Sequence, residues 1–322
     1  MSEVHQEQEQ QQTRPSHPIR LAPAPWQTKS ECYWLLMTLR SLPKGIYDPL
    51  EEEAIGLGTE SEERKKEVGE FKGGLGIIMV VRYTSTPVGP YDEIIVLPGN
   101  FSIPKTPSAP LKLPKKALRI TRIYVSQRTT CYNGRVNWNI PKHLARFSFS
   151  APPTPAGSSP PESMTVKVYP PSSKDGDGTG PFFACTLKPF RWIPAVSLST
   201  KWLPLSTVHA QPPVPEAPGF QQASAEEAKG EAVEEYDINP KMEESLMAGT
   251  EKWRLFPIHG YYERARGCWV KIHQPGEDTE GSNNEAVEEA SKYWPVDAQP
   301  WSIGAWMEDA NMEIPLPLEW KL

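Results

Sequence analysis

The sequence predicts a mainly β (α+β) protein, an antiparallel barrel or sandwich carrying long polar inserts. Three observations point there. Short runs of branched and aromatic residues recur along the chain, set apart by Gly and Pro turns. Few stretches show helical periodicity. Thirty-six prolines among 322 residues break the remainder into loops.

The elements follow in order. Residues 1–24, rich in Gln and Glu at the start, read as a disordered tail. Cys32 to Met37 is a strand candidate. The charged stretch Glu51 to Glu70 has surface character, with room for a short helix. Gly74 to Tyr83 is an apolar run of branched residues, Thr86 to Pro90 a turn, and Asp92 to Leu97 a second strand. Ala117 to Gln127 reads as one further strand. Phe147–Ser150, Met164–Tyr169, Phe182–Phe190, Lys252–Ile258, Cys268–His273 and Trp301–Met307 supply the others. The segments 151–163, 170–180, 211–249 and 274–290 are Pro-, Ser-, Gly- or Glu-rich and read as flexible inserts in one domain spanning 25–322. Eleven tryptophans and eleven tyrosines give that domain a large aromatic area to bury.

Charge and composition exclude several functions. A net charge of -6 lacks the basic surface that nucleic-acid phosphates require. The start has no signal-peptide pattern, and no apolar run is long enough for a membrane-spanning helix, so a cytoplasmic location is expected. Four widely spaced cysteines and six scattered histidines offer no disulfide framework and no metal site. No cofactor is implied. Gly73-Gly74-Leu75-Gly76 lacks the lysine and helix of a phosphate loop and reads as the start of a strand. No GxSxG elbow is present.

Two segments remain. Gly89-Pro90-Tyr91-Asp92-Glu93 places an acid at the start of an apolar strand. In Gly134-Arg135-Val136-Asn137-Trp138-Asn139-Ile140-Pro141-Lys142-His143-Leu144-Ala145 a lysine lies among bulky apolar groups. Such a lysine either snorkels to the surface or is held with a depressed pKa. Arg135 either binds a substrate carboxylate or braces backbone carbonyls, and Trp138 reads as pocket wall.

Together the segments resemble the acetoacetate decarboxylase family, in a fungal branch. Gly89, Tyr91 and Glu93 match its G-x-Y-x-E, while Gly134, Arg135, Pro141, Lys142, Leu144 and Ala145 match its G-R…P-K-x-L-[AG]. The likeness covers roughly 74–149. It implies the family's β-barrel, a small keto-acid or ketone ligand, and a homo-oligomer. Lys142 would form the Schiff base, Glu93 would act as acid/base or orienting group, and Tyr91, Arg135, Trp138 and His143 would complete the site. An unperturbed lysine is neutral in only about one molecule in a few thousand at pH 7, so the amine must be activated. The resemblance has gaps: His143 replaces the family's second lysine, and no arginine lies near Lys29 to Glu31. Pro114-Lys115-Lys116 imitates the double lysine but lacks the upstream Gly-Arg and reads as solvated loop. The expected reaction is decarboxylation of a small β-keto acid. The alternatives are an aldolase, dehydratase or cyclase using the same imine, and a ligand-binding protein without catalysis.

Overall fold

A computed structural model describes residues 18–56, 67–105, 109–110, 112–204, 206–230, 233–277 and 283–322. β1 (Trp26–Thr38) leads through a short helix α1 (Pro49–Ile55) and β2 (Phe71–Gly73) into the hairpin β3 (Leu75–Ser85) and β4 (Tyr91–Leu97). β5 (Asn100–Ser102), β6 (Lys116–Leu118) and β7 (Arg122–Val125) precede helix α2 (Arg128–Trp138). Then come β8 (Lys142–Leu144), β9 (Arg146–Phe149), β10 (Met164–Tyr169), β11 (Phe183–Pro189) and β12 (Val196–Ser199). β13 (Val208–Gln211), α3 (Phe220–Glu227), β14 (Trp253–Pro257), β15 (His259–His273), α4 (Asn283–Tyr293), β16 (Ile303–Ile314) and β17 (Leu318–Trp320) complete the order.

The large sheet runs β8-β7-β4-β3-β1-β16-β15-β11-β10-β9, with β12 added to β15. Its two ends, β8 and β9, are separated in the chain by Ala145 alone. One bent segment therefore pairs with β7 through its first half and with β10 through its second, which nearly closes the sheet into a barrel. Most pairs are antiparallel, but the closing pair β7–β8 is parallel. A second sheet, β17-β14-β13-β6-β5-β2, lies beside the first.

Both faces of the large sheet are largely covered along β1, β3 and β4. Tyr33, Leu35, Ile78, Val80, Ile94 and Val96 join Val166, Phe183, Cys185 and Trp306 in the cluster enclosed by the ring of strands. Trp34, Val81, Ile95 and Leu97 point the other way, to a cluster completed by α2 and Phe256. Burial on both faces explains why β3 and β4 read as continuous apolar runs rather than alternating ones.

Three expectations need correction. Ala117 to Gln127 is not one strand: β6 belongs to the second sheet and β7 to the first, with Arg119 to Thr121 crossing between them. Ile19 and Ala22, inside the expected tail, are buried, and Ala22 N–H donates to Asn133 Oδ1 at 2.7 Å. The segment 211–249 is not an appendage, because Val214, Ala217, Phe220, Leu246, Met247 and Ala248 are buried there. Within it α3 supplies Glu227, which accepts from Arg128 at 2.6 Å and from Ser245.

Candidate active site

The site grows from α2 and the turn that follows it. Gln127 caps the helix, its side-chain oxygen accepting from Thr130 N at 3.2 Å. Asn139, in the left-handed region at φ 57, ends it by donating its N–H to the Arg135 and Gly134 carbonyls. Pro141 then directs the chain into β8, whose alternation sends Lys142 and Leu144 to one face and His143 to the other. Gly134 makes room for the lysine: a Cβ there would lie 2.6 Å from Lys142 Cδ and 2.7 Å from its Cε.

Lys142 is 4% exposed and Glu93 3%. Lys142 Nζ donates to Glu93 Oε2 at 2.7 Å, to Thr130 Oγ1 at 2.9 Å and to Tyr91 OH at 3.4 Å. Tyr83 OH donates to the other carboxylate oxygen, Glu93 Oε1, at 3.3 Å. Burial disfavours the ammonium, but the Glu93 carboxylate and the Tyr91 oxygen outweigh it and raise the Lys142 pKa above its ordinary value. The shift is thus upward, opposite to the lowered pKa that activation of the amine calls for. Burial pushes Tyr91 up to about 12, Lys142 opposing and Glu93 adding. Burial and Glu93 likewise raise Tyr83, so both phenols keep their protons at neutral pH.

These groups open into a cavity of about 170 Å³ between the large sheet and the second layer. Trp26, Trp34, Ile77, Met79, Ile95, Ile123, Trp138, Ile140 and Met312 supply much of its apolar wall. An apolar cavity of about 150 Å³ admits a benzene-sized molecule, so the space suits a small organic ligand. Trp138 stands edge-on to Trp26 at 5.1 Å and anchors its N–H on the Pro315 carbonyl at 2.8 Å.

The structure thus gathers Lys142, Glu93, Tyr91 and Trp138 around one cavity and leaves Arg135 and His143 outside it. Arg135 donates to Glu51 Oε1 at 2.8 Å, to the Pro215 carbonyl at 2.7 Å and to the Ala248 carbonyl at 3.3 Å. It has the bracing geometry rather than that of a ligand-binding arginine. His143 Nε2 lies 2.9 Å from Glu51 Oε2, and its Nδ1 3.5 Å from Glu243 Oε1. Burial opposes its charge, but Asp48 and Glu51 raise its pKa to about 10. That shift favours the imidazolium at neutral pH. Donor atoms of Asp48, Glu51 and His143 lie within 4.8 Å of one another. Glu51 also binds Arg135, so these residues take part in a buried ion-pair network. Lys115 and Lys116 are both exposed, but Lys116 opens strand β6 and so is not in a loop as expected.

Sequence reasoning missed Tyr83 and Thr130. Tyr83 was within reach, since the hairpin turn at 86–90 sets it opposite Tyr91. Thr130 carried no signal, because its approach to Lys142 depends on how α2 docks.

No family model and no curated protein matches this chain. Among solved structures it is similar to the enduracididine biosynthesis enzyme MppR, complexed with the condensation product of pyruvate and imidazole 4-carboxaldehyde. The identity is 11% and the TM-score 0.46, covering 94% of this chain and 91% of that one. It is also similar to acetoacetate decarboxylase from Legionella pneumophila, at 8% identity and TM-score 0.46 over 96% and 93% of the two chains. A further acetoacetate decarboxylase structure gives 9% and 0.47 over 95% and 92%. These are likenesses in the course of the chain, at identities too low to carry residue roles across.

Proposed function

We propose that this protein is an imine-forming enzyme of the carbon–carbon lyase type, acting on a small carbonyl compound. Lys142 is the nucleophile, and Glu93 accepts and returns its proton. One observation carries the reading: Lys142 and Glu93, 49 residues apart in sequence, meet at 2.7 Å in a buried apolar cavity. Those two residues also lie in the two motifs that resemble the acetoacetate decarboxylase family.

The chemistry balances with the groups present. Glu93 takes a proton from the Lys142 ammonium, and the free amine attacks the carbonyl carbon to form a carbinolamine. Glu93 returns that proton to the departing hydroxyl, which leaves as water. The resulting iminium carries the same single positive charge as the ammonium it replaces, so Glu93 still faces one cation. As an electron sink, the iminium then accepts the pair from the breaking bond and becomes an enamine. A proton taken up from water is added at carbon, and hydrolysis of the re-formed iminium by water regenerates the lysine. Thr130 and Tyr91 hold Nζ in place, and Tyr83 orients the carboxylate.

The raised pKa of Lys142 favours a second reading, a binding protein whose lysine stays an ammonium paired with Glu93. Borohydride trapping with a panel of small ketones and keto acids separates the two. The enzyme reading expects an adduct on the peptide containing Lys142, lost completely in Lys142→Ala. A folded wild-type sample that yields no lysine adduct establishes the binding-protein reading instead.

A further inference from the structure

The cavity has a polar group that imine formation does not use. Alternation along β13 turns Val208 and Ala210 toward the cluster around Trp253 and Trp320. His209 therefore points to the opposite face, where its ring stacks on Phe256 at 5.7 Å and lines the same cavity as Lys142. It is 6% exposed. Nδ1 lies 2.9 Å from the Thr207 carbonyl, which can only accept, so Nδ1 carries the proton. Burial lowers the ring's pKa to about 4. At neutral pH the imidazole is uncharged, with Nε2 as an acceptor that makes no hydrogen bond among the described residues.

The charge of the lining also selects. Among the described lining residues Lys142 is the sole cation, and Glu93 already neutralises it. An uncharged ketone keeps the site balanced, since ammonium and iminium carry the same charge opposite Glu93. A keto acid would set a second carboxylate beside Glu93 in an apolar space with no cation to receive it.

The two polar regions are separate. Glu93 lies at the start of β4, and four residues on, about 13 Å of extended strand, is Leu97. Beyond it Asn100 pairs with Leu118, which pairs with His209.

We infer that the carbonyl compound bound here is uncharged and elongated, and that its far end carries a hydroxyl or amide N–H received by His209 Nε2. This rests on the imine reading, and it makes His209 a specificity residue.

The test is borohydride trapping on the full chain with three probes built on one eight-carbon chain: octan-2-one, 8-hydroxyoctan-2-one and 7-oxooctanoate. Peptide mass spectrometry locates the adduct. The hydroxyketone should label Lys142 at about tenfold lower concentration than 7-oxooctanoate, and several-fold lower than octan-2-one. The ratio of hydroxyketone to octan-2-one labelling should fall toward one in His209→Phe. It should recover in His209→Gln, whose amide oxygen still accepts. Labelling by 7-oxooctanoate as readily as by the hydroxyketone overturns the charge selection while leaving the imine intact. A ratio unmoved by His209→Phe overturns the acceptor role. Absence of any Lys142 adduct from a folded sample overturns the imine reading itself.

Discussion

Two neighbouring residues on one three-residue strand face opposite surroundings. Lys142 enters an apolar cavity in which a single carboxylate answers its charge. His143, on the other face of β8, sits among Asp48, Glu51 and Glu243, with Arg135 bound to the same Glu51. The first side holds its charges apart from other charges, and the second packs them together. The difference separates two tasks that the motif alone runs together. The crowded side ties α1, α2 and β8 to one another, and the sparse side leaves one amine facing an apolar cavity. A second cation next to the lysine in sequence is therefore not a second cation next to it in space.

The comparison is tested hardest by loading a charge defect onto the crowded side. Glu51 receives both Arg135 and His143, and those cations hold its carboxyl down at about 2 against the opposing effect of burial. Glu51→Gln leaves two buried cations short of a counter-charge, a defect that costs about 3–5 kcal/mol. Thermal or denaturant unfolding should register that loss. Borohydride trapping by the protein that remains folded should persist, because Lys142 does not touch the network. A variant of full stability that no longer traps would mean the two faces are coupled.

A smaller effect is expected where the two sides meet through α2. A Cβ on Gly134 would strike the lysine stem, 2.6 Å from Cδ and 2.7 Å from Cε. Ala favours a helix interior over Gly by about 1 kcal/mol, so Gly134→Ala should not lose helix stability on its own account. The added methyl instead pushes Lys142 off Glu93 and Thr130. Trapping should fall by up to about a hundredfold, the cost of roughly an ångström's misplacement of a reacting group. Unchanged trapping would show that the stem has slack which the packed distances do not reveal.

How much of this was legible depended on how far each property travels along the chain. β3 and β4 were plain because double-sided burial writes an unbroken apolar run. Lys142, Glu93 and Tyr91 emerged from two short motifs, which spell out neighbours in sequence. Helix α2 did not, since Thr129, Thr130, Asn133 and Gly134 are weak helix formers. Burial of all but Val136 and Asn137 in that helix also leaves no one-sided stripe. The charge on His143 was illegible for another reason: it is set by Asp48, Glu51 and Glu243, which only the fold brings near. The segment 211–249 hid its buried Val214, Phe220, Leu246 and Met247 within a Pro/Glu/Ala composition that otherwise marks disorder.

The smallest effect expected is in the pH response, where the two sides should move in opposite directions. His143 is raised from 6.5 to about 10, so its contribution to stability is whole below pH 6.5 and is lost as pH climbs through about 10. Glu51, lowered from 4.5 to about 2, contributes fully above pH 4.5 and loses its share as pH falls through about 2. The network is thus at full strength between pH 4.5 and 6.5, and Tm should decline by a few degrees on the alkaline side. His143→Gln should flatten that decline. Lys142 works the other way: attack on a carbonyl needs the neutral amine, and its raised pKa keeps the proton on until the solution is alkaline. Trapping per folded molecule should therefore rise across the range in which Tm falls. Because the ring of His143 and the amine of Lys142 lie on opposite faces of β8, His143→Gln should leave the pH profile of trapping where it was. A profile that shifts with the histidine would make His143 the missing second cation after all, acting through the strand rather than across the cavity.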